Sequence, residues 1–220
     1  MTRIALIVVA ASSVALAAPT TSLYNDGDAG FNDLTLGGTL EQAVVESRIG
    51  NANPEAGIWE VGLWRFGAVG TPMDADGRGI DNGEVASFTL DYDGGTGLSF
   101  AIDGATVADA NIGGTFTDIF IRLRGVANGT ATLQNLALDG SALSVSTIDA
   151  TNGVSYLRIQ NVGSDFGAFS LTGEQVFDWT GTRPNNSALA VQFKLTNVIP
   201  TPGVGAVLGL AGLAATRRRR

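Results

Sequence analysis

Between residues 84 and 102 apolar and polar side chains alternate with a period of two. Ala86, Phe88, Leu90 and Tyr92 are interleaved with Val85, Ser87, Thr89 and Asp91. After the turn Asp93-Gly94-Gly95-Thr96-Gly97 the pattern resumes at Leu98, Phe100 and Ile102. Only an extended chain sends alternate residues to one face, so this stretch predicts a β-hairpin. The same style recurs along the chain. Thr117 to Arg124 sets Ile119, Ile121 and Leu123 against Phe120, Arg122 and Arg124. Leu40 to Arg48, Ile58 to Trp64, Val154 to Gln160, Ala168 to Thr172, Val176 to Thr180 and Leu189 to Leu195 read as further strands. With 30 glycines to serve the turns, about ten short strands predict an all-β domain, a two-sheet sandwich of jelly-roll-like form.

The missing residue types limit the chemistry. There is no cysteine and no histidine, so disulfides, thiolate or imidazole metal sites and a Ser-His-Asp triad are excluded. Lys194 is the single lysine. The whole chain carries −8. Setting aside Arg3 and Arg217 to Arg220 leaves eight basic residues against the same 21 acidic ones, a net −13. Such a body repels nucleic acid and anionic lipid, so no nucleic-acid partner is expected.

The two ends differ from the body. Arg3 followed by the apolar run Ile4 to Ala11, then Val14 to Leu16 and the small-residue site Ala15-Leu16-Ala17, reads as a secretory signal in helical form. At the other end, Ile199-Pro200-Thr201-Pro202 precedes an uncharged run, Gly203 to Thr216, closed by Arg217, Arg218, Arg219 and Arg220. As a helix that run is about 21 Å long, and with the preceding Thr196 to Pro202 it just spans the roughly 30 Å hydrocarbon core. Four terminal arginines hold such a helix with its end in the cytoplasm. The expected division is 1–17 signal peptide, 18–24 linker, 25–196 β-sandwich surface domain and 197–220 sorting or anchor segment.

The prolines Pro200 and Pro202, the short apolar helix and the arginines Arg217 to Arg220 resemble the PEP-CTERM sorting signal of bacteria of the Gram-negative type. The family's usual acidic residue between the prolines is Thr201 here. The resemblance implies secretion machinery and an exosortase-like sorting enzyme as partners, and the cell envelope, outer surface or medium as destination. Over 25–196 the chain also resembles the choice-of-anchor W domains. The segments that carry this are Ala43-Val44-Val45-Glu46-Ser47-Arg48-Ile49-Gly50, Asp118-Ile119-Phe120-Ile121-Arg122, and Phe169-Ser170-Leu171-Thr172-Gly173 running into Trp179-Thr180-Gly181. That resemblance implies a surface domain and supplies no catalytic residues.

Three kinds of site remain open in the body. Asp74, Asp76, Asp81 and Glu84 lie on a glycine-bent loop, and closely spaced carboxylates of this kind suit Ca²⁺. Against an EF-hand loop the pattern misses twice: Arg78 stands where the third acidic ligand belongs, and Val85 where the bidentate glutamate belongs. Trp64, at a strand end, and Tyr156 are the candidate aromatic platform for an extracellular polysaccharide, while Trp59 and Trp179 share faces with core residues. A carboxylate-pair hydrolase is the least supported option, since nothing pairs any two acids. Arg122, Arg124 and Arg158 are expected in cross-strand ion pairs. The sequence therefore points to an exported, non-enzymatic structural or adhesive surface protein. The alternative is a carbohydrate- or calcium-dependent binding module.

Overall fold

The computed structural model describes residues 18–37, 39–50, 60–66, 72–112, 115–162 and 164–198. The expected signal segment 1–17, Trp59 and the residues Pro200, Pro202 and Arg217 to Arg220 of the expected sorting tail lie outside the described residues. In chain order the elements are β1 (Thr20–Tyr24), α1 (Gly27–Leu34), β2 (Glu41–Arg48), β3 (Val61–Arg65), β4 (Asp74–Asp76), β5 (Val85–Tyr92) and β6 (Leu98–Ile102). There follow β7 (Ala105–Asp109), β8 (Asp118–Leu138), β9 (Ser141–Ala142), β10 (Ile148–Gln160), β11 (Phe169–Trp179) and β12 (Ala190–Thr196). The expected β-rich class holds, and every strand pairing is antiparallel.

Hydrogen bonding joins the strands into one sheet, in the order β4-β3-β2-β12-β8-β11-β5-β6-β7. Its spine is β8, 21 residues long. The first part of β8 pairs with β12 on one side, and the later part pairs with β11. β10 runs along the opposite side of both parts. The spine thus belongs to both parts of the sheet, and side chains from both parts share one core. Phe193 of β12 meets Phe88 of β5 at 5.1 Å and Phe100 of β6 at 5.4 Å between ring centroids. Each such ring, fully buried, contributes about 1.5–3 kcal/mol.

The far ends of the sheet also meet, which nearly closes it. The amides of Thr106 and Ala108 on β7 donate to the carboxylates of Asp76 and Asp74 on β4, at 2.9 and 2.8 Å. Residues two apart on a strand face the same way, so the two-residue spacing of the amides matches that of the carboxylates. Beside them Arg65 of β3 grips Asp109 of β7 with Nε and Nη2, at 2.5 and 2.6 Å.

Two boundaries differ from the sequence reading. The expected linker at 18–24 holds β1, which pairs in register with β10 from Thr20↔Gln160 to Tyr24↔Tyr156. The ordered body therefore begins before residue 25. The helix α1 was not expected either: its apolar face reduces to Phe31, the one residue it buries, too short a pattern to show a period.

Candidate functional site

The outer face of β2, β12, β8 and β10 concentrates the charged groups. Strand register sets its side chains in three rows. The first is Arg48, Ala190, Arg124 and Val154; the second Glu46, Gln192, Arg122 and Tyr156; the third Val44, Lys194, Phe120 and Arg158. Five of the eight basic residues between 18 and 198 stand on this face. On a body of net −13 that is a strong local asymmetry.

The helix α1 covers part of the face. Phe31 stacks on Tyr156 at 5.4 Å and meets the edge of Phe120 at 5.1 Å. Lys194 Nζ lies 4.9 Å from the Phe31 ring centre and bonds Glu41 at 2.9 Å. Arg158 lies over Phe120 and reaches the buried Asp118 at 2.6 Å. Asp28, in the first turn of α1, accepts Nε and Nη2 of Arg122 at 2.7 and 2.8 Å, and the Tyr156 hydroxyl at 2.7 Å. The Arg122 hydrogen bonds hold the Asp28 carboxyl down at about 2. Burial, reinforced by the bond to Asp28, pushes the Tyr156 hydroxyl up. Burial likewise raises the Glu46 carboxyl, although Arg48 opposes it. Three cations of the face, Arg122, Arg158 and Lys194, are thus paired with carboxylates, and Arg48 bonds the Ser187 hydroxyl at 2.7 Å.

Arg124 is exposed, and its side chain has no ion pair or hydrogen bond among the described residues. It lines a cleft of about 550 Å³ with Arg122, Asp28 and Asn152. The cleft arises where the β8–β10 ladder breaks. Gly125 still pairs with Gly153 and Thr130 with Thr151, but Val126 to Gly129 have only Asn152 opposite them. Asn152 turns the chain with φ 53°, a left-handed conformation that asparagine tolerates. Gly125 makes the close approach possible, because a Cβ there would stand 2.0 Å from the Ala150 carbonyl oxygen. Val154 borders this cleft and a second of about 250 Å³, lined by Tyr24, Asn25, Asp149 and Ser155.

The candidates from sequence are placed elsewhere. Asp74 and Asp76 hold the β7 amides, and each also accepts the next residue's amide, Ala75 or Gly77. Glu84 accepts the Asp81 amide at 3.1 Å and lies 3.5 Å from Arg78, which also faces Asp103 at 3.6 Å. Asp81 is exposed. Asp74, Asp76 and Glu84 are thus directed to neighbouring amides and to Arg78 rather than to a shared point. Among the described residues no three acidic groups are placed to hold a metal. Trp64 and Tyr156 are 4% and 3% exposed, so neither ring offers the open face that stacking on a sugar requires. Trp64 was expected at an exposed strand end, but it pairs beside Val44, which is itself fully buried. Of the three arginines expected in ion pairs, Arg122 and Arg158 form them, and Arg124 forms none among the described residues. Asp28, the partner of Arg122, was not singled out; its position just ahead of Phe31 was the available signal.

No family model matches the chain, and a search of curated proteins returns no match.

Proposed function

We propose that this chain is an exported bacterial surface or extracellular-matrix protein with a non-enzymatic, structural or adhesive role. Its N-terminal segment directs secretion, and its PEP-CTERM-like tail is handled by an exosortase-like enzyme that leaves the protein at the envelope surface or in the medium. The β body is a jelly-roll-like sandwich whose two layers share β8 and β10. What supports this reading is the closed seam between β4 and β7. It ties down a strand edge that would otherwise recruit other chains, and it does so without disulfides. A domain so closed suits persistence outside the cell.

The test is delivery. In the native host, the full chain is compared with one ending at residue 198, using protease treatment of intact cells. The full chain is expected to be cut on intact cells, whereas the shortened one is shed to the medium. Protection of the full chain in cells that release cytoplasmic markers only on lysis would overturn the proposal. A second reading, carbohydrate-dependent adhesion, draws on the cleft at Arg124.

A further inference from the structure

We propose that the cleft at the break in the β8–β10 ladder binds an acidic saccharide, with Arg124 receiving the carboxylate of a uronate residue. This rests on the adhesive reading and names its ligand class. A free guanidinium is a planar fork of donors that matches a carboxylate with two parallel hydrogen bonds. Among the described residues the Arg124 side chain has no hydrogen-bond or ion-pair partner, although the body has acids in excess. Its neighbour Arg122 is fixed by Asp28. The local balance of Arg122, Arg124 and Asp28 is therefore positive. Asn152 and the outer edge of Asp28 add a donor and acceptors suited to ring hydroxyls.

The volume of about 550 Å³ lies within the roughly 300–1,000 Å³ of small-molecule sites. The lining is polar, which favours a hydroxylated ligand over an aliphatic or aromatic one. Because the walls are set by a ladder break at Gly125 and Asn152, the cleft belongs to the sheet itself and does not depend on a loop closing over it.

The test is calorimetric titration of the full chain with a galacturonate oligosaccharide in the presence of a metal chelator. The same oligosaccharide with its carboxylates methyl-esterified is the comparison. Arg124→Gln is expected to weaken binding about 10-fold or more, the loss of a charged hydrogen-bonded pair. Arg183→Gln, altering an arginine paired with Glu60, is expected to leave it unchanged. Esterification is expected to have the same effect on the wild type as Arg124→Gln. Absence of binding, equal binding of the esterified probe, or equal binding by Arg124→Gln would overturn the site. So would displacement of the probe by inorganic phosphate at equal concentration, which would mark a simple anion site. If the chain reaches the surface yet fails this titration, only the saccharide site falls. If it binds but never leaves the cytoplasm, the surface role falls and the site stands.

Discussion

Asp28 holds two partners with one carboxylate, and both lie far along the chain: Arg122 and Tyr156 are 94 and 128 residues away. The folded carboxyl titrates at about 2, below its ordinary 3.8. Its contribution to stability is therefore complete above about pH 4 and is lost as pH falls toward 2. The side chain is 49% exposed, so solvent screening reduces the contribution to about 1 kcal/mol. Asp28→Asn keeps an acceptor for Tyr156 and removes the charge. Urea unfolding is expected to find the variant less stable by about that amount at pH 7, and equal to wild type near pH 2. A constant difference across that range would contradict the assignment. The cationic side of this cluster was legible in the sequence, because alternation puts Phe120, Arg122 and Arg124 on one face. Its acidic side was not, since nothing local shows that α1 will lie over β8. Trp64 failed for the same reason: alternation assigns a face but not what covers it.

At the scale of elements, the seam is the least ordinary feature, since two carboxylates take the place of strand carbonyls. The Arg65 hydrogen bonds also hold the Asp109 carboxyl below the usual range, so this part of the seam weakens in acid. Replacing Asp74 and Asp76 together by alanine leaves the Thr106 and Ala108 amides without acceptors. Hydrogen exchange is expected to speed up at those two amides, with a stability loss of about 1–2 kcal/mol. Unchanged exchange there would show that other acceptors hold β7. The β5–β6 hairpin was readable because its alternation is uninterrupted. β4 was not, since three residues carry no period and the strand forms only against β3. β11 joins the two strands expected at Ala168 to Thr172 and Val176 to Thr180. Gly173 lies inside this one strand, where a Cβ would come within 2.9 Å of Leu136 and Phe88. That glycine serves close packing.

At the scale of the molecule, an acidic body gathers most of its cations on one face, and among the described residues it leaves the Arg124 side chain without a partner. The all-β class was written in the strand alternation. The joining of both halves through β8 and β10 was not, because a 21-residue strand looks locally like two shorter ones with the turn-like Gly125 to Gly129 between them. The ends of the chain carry the argument for export, and their fate can be weighed directly. The intact mass of the protein recovered from the native cell's envelope and medium should lack the residues before about Ala18 and those beyond the Pro200–Pro202 region. A mass that retains Met1 through Arg220 would contradict both secretion through the signal and processing of the tail.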